Sequence, residues 1–170
     1  MPIMETVAEL MALAARTAPK ASGQDYVEIV ILTGPELQSL QAEMEAYGAT
    51  SGKKNFDRDA LNVAASDAVL LLALNKPKVL GLNCGACGQA KCSMLETVEG
   101  PEFSGPLCAW RMLDLGIALG SAVKTASILN ADNRIMYRVG VAARRLGLIT
   151  GEIVIGVPIS ATGKSPYFDR

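Results

Sequence analysis

The sequence predicts an α+β fold in which a central sheet is flanked by helices. Segments of strand length are rich in aliphatic and β-branched residues, and longer segments carry apolar residues at helical spacing. Of the 170 residues, 50% are hydrophobic but only 5% are aromatic, so the core is expected to consist mainly of aliphatic side chains. The chain has no internal repeat, and its length suits one domain over residues 1–170.

Strands are predicted at residues 26–32, 68–74 and 152–159, and helices at residues 5–18, 35–47, 109–129 and 135–146. The second strand, AVLLLAL, is apolar throughout, which indicates a central position in the sheet. Pro35 suits the first turn of a helix, and Gly48 is expected to end that helix. Asp132 or Asn133 is expected to cap the start of the last helix.

The helix at residues 109–129 is apolar on more than one face, so it is expected to be buried on most sides. Gly116 and Gly120 would let another backbone approach it closely. A hydrophobic chain of this size often covers apolar surface by self-association. We therefore expect a homodimer with this helix at the interface.

Composition excludes several classes of function. With 16 basic and 17 acidic residues the net charge is −1, which gives no electrostatic case for binding nucleic acid or an anionic membrane. No apolar run reaches the roughly 18 residues of a membrane span, and the first residues lack the features of a secretory signal, so the cytoplasm is expected. The chain has no histidine, which removes mixed Cys/His zinc sites and His-dependent nucleophiles. No catalytic residue can be assigned.

The four cysteines of the chain all lie within one segment of 25 residues. Cys84, Cys87, Cys92 and Cys108 follow the pattern C-x2-C-x4-C-x15-C. Thiols stay reduced in the cytoplasm, so the cluster of cysteines favours metal binding over disulfides. Thiolates ligate both zinc and iron–sulphur clusters. We expect residues 79–108 to form an inserted metal-binding loop.

The spacing favours an iron–sulphur cluster over zinc. Zinc sites usually use two C-x2-C pairs, and only Cys84 and Cys87 have that spacing here. A cubane cluster can be wrapped by one short loop while a distant residue takes the fourth iron. Gly85 and Gly88 each follow a cysteine and would bring backbone N–H groups close to sulphur. Structural zinc remains the alternative.

The segment NCGACGQAKC with the later Cys108 resembles the four-cysteine iron–sulphur domain of corrinoid iron–sulphur proteins and of membrane-associated electron-transfer subunits. In that family the four cysteines of CGxCGxxxC…C hold a [4Fe-4S] cluster, which implies the same role for Cys84, Cys87, Cys92 and Cys108. The family's last cysteine is often followed by proline, whereas Ala109 stands here and Pro106 comes two residues earlier.

The rest of the chain resembles nitroreductase-like proteins. The opening of that fold is similar to the segment AARTAPKASGQ, which precedes the first strand. Its central helix and closing half are similar to the segments DLGIALGSAVKTA and ARRLGLI. The whole arrangement looks most like a family of uncharacterised proteins with a ferredoxin domain. The resemblance implies a nitroreductase-like sheet, dimerisation and flavin mononucleotide (FMN) at the dimer interface. Residues 1–9 lack the Arg-rich segment that grips the flavin phosphate, and Arg16, Lys20 and Lys164 are the basic residues that could replace it.

Three functions compete on this basis. The favoured hypothesis is an iron–sulphur redox protein that passes single electrons to a partner protein or to a flavin. The second is a non-redox binding or regulatory module in which zinc orders the cysteine loop. The third is an enzyme with an open coordination position, which requires that Cys108 is not a ligand. The sequence does not decide whether the protein is itself an oxidoreductase.

Overall fold

The computed structural model describes residues 2–168 and has six strands and five α-helices within that range. Their order is α1 Pro2–Thr17, β1 Val27–Leu32, α2 Pro35–Ser51, α3 Phe56–Ala64, β2 Ala68–Leu74, β3 Val98–Glu99, β4 Ser104–Gly105, α4 Ala109–Ile128, β5 Asp132–Asn133, α5 Tyr137–Arg145 and β6 Ile153–Ser160. No helix in the described range is long and apolar enough to cross a membrane.

The main sheet has four antiparallel strands in the order β1-β2-β6-β5, and β3 and β4 form a separate hairpin. The predicted central strand is confirmed, because β2 lies between β1 and β6 and all seven of its residues are buried. Its side chains alternate between two hydrophobic cores. Leu70 and Leu72 face α1 and α4, whereas Val69 and Leu71 face α2, α3 and α5.

Helix α2 runs past Gly48 to Ser51, so the prediction that Gly48 ends the helix is wrong. A Cβ at Gly48 would lie 2.7 Å from the Cβ of Phe56, the first residue of α3. The glycine therefore allows α2 and α3 to pack closely. The left-handed residue that follows the helix is Gly52, with φ 68°.

Asp132 and Asn133 form β5 and pair with β6, so the prediction that they cap a helix is also wrong. Helix α5 begins at Tyr137, two residues later than predicted. The Asp132 carboxylate instead accepts a hydrogen bond from the Thr162 hydroxyl at 3.3 Å. It thereby ties the segment after β6 to the sheet.

The C-terminal segment docks on the body of the protein through Tyr167. Tyr167 is 1% exposed, and its hydroxyl lies 3.0 Å from that of Ser66. Arg134 donates to the Tyr167 carbonyl at 2.6 Å and lies over the Phe168 ring, so it holds the tail. Asp169 and Arg170 lie outside the described residues.

Helix α4 is buried only on the side that packs against α1 and the sheet. Its outer face is apolar and open in the single chain, with Leu113 50% and Ile117 37% exposed. A Cβ at Gly116 or Gly120 would meet no atom within 4 Å. The prediction that α4 is buried on most sides is therefore not met in the single chain.

Candidate metal centre

The candidate site lies on the connection between β2, at the centre of the sheet, and α4. Cys84, Cys87 and Cys92 occupy the first part of this connection, and Cys92 begins a short 3₁₀ turn, Cys92–Met94. Cys108 directly precedes the first residue of α4. The fourth cysteine is therefore fixed by a 20-residue helix, whereas the other three depend on the local conformation of the loop.

All four cysteines line one small cavity of about 10 Å³. They are free thiols; Cys84 is exposed, Cys87 and Cys92 are half-buried, and Cys108 is buried. The remaining wall is mostly apolar and includes Val79, Leu80, Leu82, Leu95 and Trp110. Among residues 2–168, no three Cys, Asp or Glu side chains converge closely enough to hold a metal ion as they stand.

The loop turns at residues with positive φ. Gly85 has φ 73° and Gly88 has φ 87°, and the Gly88 N–H donates to the Gly85 carbonyl at 2.9 Å. Each of these glycines follows a cysteine, so the backbone reverses direction beside the sulphur atoms. A side chain at either position would be strained in this conformation.

Asn83 holds the two ends of the first three-cysteine segment together. Its side-chain carbonyl accepts the Cys92 N–H at 2.8 Å, and its own N–H donates to the Cys92 Sγ at 3.3 Å. Asn83 also has a positive φ of 50°, which asparagine tolerates better than most residues. These contacts place Cys92 beside the start of the loop.

Cys84 receives hydrogen bonds that favour its thiolate. The backbone N–H of Ala86 is the main cause of a lowered pKa of the Cys84 thiol, and the indole N–H of Trp110 adds to it. The Trp110 Nε1 lies 3.2 Å from the Cys84 Sγ. Donors aimed at sulphur stabilise negative charge there, which suits a metal-bound thiolate.

Arg111 anchors the start of the loop to the body of the protein. Its side chain is completely buried at the N-terminus of α4. The guanidinium donates to the Lys78 carbonyl at 2.8 Å and to the Ala21 carbonyl at 3.0 Å, and it also contacts the Gln24 side chain. Asp114 balances its charge at 3.2 Å. One buried residue thus joins α4, the segment before β1 and the chain that leads into the cysteines.

Arg144 anchors the second half of the connection, the β3–β4 hairpin. It makes a two-point contact with Glu99, at 2.6 and 2.8 Å, and donates to the Gly151 carbonyl at 2.8 Å. Hydrogen bonding from Arg144, and then from Ser104, lowers the pKa of Glu99 to about 2. The Glu99 carboxylate is therefore ionised at neutral pH, and the hairpin is tied to the end of α5.

Two of the basic residues predicted as phosphate ligands are engaged elsewhere. Arg16 donates to the Asp25 carboxylate at 2.6 Å and to the Val27 carbonyl at 2.8 Å. The Lys20 ammonium donates to three carbonyls at the end of α1, those of Ala15, Arg16 and Ala18. Neither residue fits a flavin phosphate in this arrangement.

Sequence reasoning identified the cysteines but not the residues that support them. Asn83, Trp110 and Arg111 all lie within three residues of a cysteine, and Trp110 is the only tryptophan. Their proximity in sequence was visible. The partners of Arg111, at Lys78, Ala21 and Gln24, are distant in sequence and could not be read from it.

The fold is that of nitroreductases. A crystal structure of a nitroreductase with bound FMN from Desulfitobacterium hafniense matches with a TM-score of 0.58 over 98% of this chain and 83% of that chain, at 16% identity. Nitroreductase CinD from Lactococcus lactis in complex with chloramphenicol matches with a TM-score of 0.61 over 98% and 84%, also at 16% identity. At such identities the likeness shows the fold alone.

An uncharacterized protein of Archaeoglobus fulgidus is 50% identical over 169 residues, which cover 98% of this chain and 91% of the relative. The model of a family described as uncharacterized proteins containing a ferredoxin domain matches residues 104–170. The chain belongs to this family. The matched range includes Cys108 and lies after the other three cysteines.

Proposed function

We propose that the protein is an iron–sulphur redox protein that binds one [4Fe-4S] cluster and transfers single electrons. Its ligands in this proposal are Cys84, Cys87, Cys92 and Cys108, within an inserted loop at residues 79–108 of a single domain. The observation that carries the proposal is that every cysteine of the chain lines the same cavity. The family's ferredoxin domain supports it.

The surroundings of the cavity suit a negatively charged cluster. The wall is mostly apolar apart from the thiols, and N–H groups of Asn83 and Trp110 point at sulphur atoms. When bound, such a cluster takes up and releases one electron at a time. This chain's residues would hold the thiolates, with Cys108 buried and Cys84 at the surface. Electron exchange with a partner oxidoreductase would occur there. Reduced thiols require a reducing compartment, so we place the protein in the cytoplasm.

The test is an assay of iron, sulphide, zinc and flavin on protein purified without oxygen, with electron paramagnetic resonance after reduction. We expect about four iron and four sulphide per chain and a reducible signal. Cys108→Ala is expected to lose most of the iron because it removes the fourth ligand. Ser93→Ala, an exposed change beside Cys92, is the matched control and should retain the cluster.

Three results would contradict this assignment. One zinc per chain without sulphide would show that the cysteines form a structural zinc site and that the protein is a non-redox module. Full iron retention in Cys108→Ala would show that Cys108 is not a ligand. A cluster that no reductant can reduce would exclude electron transfer.

Dimerisation through α4 is the second part of the proposal. Each glycine inside a helix costs about 1 kcal/mol relative to alanine, so Gly116 and Gly120 need a packing reason. Within residues 2–168, a Cβ at either position would meet no atom from outside the local helix backbone within 4 Å, and Leu113 and Ile117 are exposed beside them. A second copy that packs against this face would supply the reason.

Ile117→Glu should convert the dimer into a monomer at micromolar concentration, because it places a charge in the apolar interface. Analytical ultracentrifugation would measure the change. Leu61→Glu is the matched control, since Leu61 is 63% exposed on α3, across the sheet from α4. Equal masses for the two variants would rule out α4 as the interface.

A further inference from the structure

Trp110 touches the candidate metal centre from the first turn of α4. It lies two residues after Cys108, yet its indole N–H reaches the Sγ of Cys84 at 3.2 Å. The indole therefore joins the first cysteine of the loop to the helix that holds the last one. Its ring also forms part of the cavity wall.

The indole contact differs from the other contacts to sulphur. Asn83 and Ala86 approach through their backbone N–H groups, which any non-proline residue would supply. The Trp110 donor belongs to a side chain, and a tryptophan N–H can only donate. The ring is 39% exposed, so it covers one side of Cys84 without isolating it from solvent.

We propose that Trp110 is a positioning residue that raises the reduction potential of the cluster by donating its indole N–H to the Cys84 sulphur. The inference rests on the proposed function. Reduction adds one electron from an external donor and forms no covalent bond at this residue. The added negative charge strengthens the N–H···S hydrogen bond, so the bond stabilises the reduced state more than the oxidised state.

Trp110→Phe keeps an aromatic ring against the cavity and removes the indole N–H donor. We expect its potential to be more negative than that of the wild type. The reduction equilibrium should fall by about three- to tenfold, which corresponds to about 28 to 59 mV for one electron. Tyr137→Phe is the matched control, because Tyr137 is also 39% exposed but lies on α5. Its potential should equal that of the wild type.

A second measurement needs no variant. The chain has one tryptophan, so a 15N-labelled sample gives one indole N–H signal. That signal should be sharp in the metal-free protein and should shift strongly or broaden beyond detection when the cluster is loaded. An indole signal that is unchanged on loading would overturn the inference, as would a wild-type potential in Trp110→Phe. Failure of the proposed function is separate, since the wild type would then contain no iron and sulphide or would hold a cluster that cannot be reduced.

Discussion

Gly140→Ala is expected to destabilise the protein by about 3 kcal/mol or more. Gly140 lies inside α5, where it faces the backbone of β6. A Cβ at this position would lie 1.8 Å from the Val154 carbonyl oxygen and 2.9 Å from the Ile155 nitrogen. These atoms belong to a strand in the middle of the sheet and cannot move aside as a flexible side chain could.

Helix propensity alone would predict that this substitution stabilises the protein. Alanine is favoured over glycine inside a helix by about 1 kcal/mol. Overpacking of a well-packed core typically costs about 1–3 kcal/mol, and here the obstacle is backbone. The strand approaches α5 closely from its own side as well, because a Cβ at Gly156 of β6 would lie 2.2 Å from the Val139 side chain of α5. The steric cost therefore exceeds the gain in propensity.

Urea unfolding of Gly140→Ala and of the wild type would measure this effect. Gly163→Ala is the control, because a Cβ there would meet no atom within 4 Å and the residue lies outside the regular elements. Its stability should match that of the wild type within about 0.5 kcal/mol. If Gly140→Ala were as stable as the control, α5 would not approach β6 as closely as described.

The elements with a clear pattern could be predicted from the sequence. The run AVLLLAL identified β2 to the residue, and the long apolar segment gave α4 to within one residue. Gly48 was misinterpreted because a glycine that ends a helix and one that admits a neighbouring helix look the same in a sequence. Only the contact with Phe56 distinguishes the two roles.

That the four cysteines lie together could be predicted from the sequence, but the residues that support them could not. Cysteine spacing is a local property, so the four thiols could be grouped without knowledge of the fold. Arg111 is different, since an arginine after a cysteine is usually a surface residue. Its burial depends on carbonyl groups of two distant segments, and no sequence pattern reports where those carbonyls point.

Arg111→Met is the second substitution with a large expected effect. Removing one member of a buried ion pair costs about 3–5 kcal/mol, because the remaining charge is left without a partner. Asp114 is 5% exposed and would keep only the Ala21 N–H, at 2.8 Å. Arg16→Met is the matched control, since the Arg16 side chain is 51% exposed and its ion pair should contribute no more than about 1 kcal/mol.

The same substitution tests how the cysteine loop is held. Without the guanidinium, the Lys78 carbonyl loses its donor and the chain that enters the loop is no longer tied to α4. Metal binding is coupled to the folding of its site, so a loop that must be ordered on binding should hold its metal less tightly. We therefore expect Arg111→Met to lose iron faster than Arg16→Met to a chelator, in buffer without urea where both are folded. Equal unfolding free energies for the two variants would contradict the ion-pair argument. Equal rates of iron loss, with Arg111→Met less stable, would show that Arg111 supports the fold but not the loop.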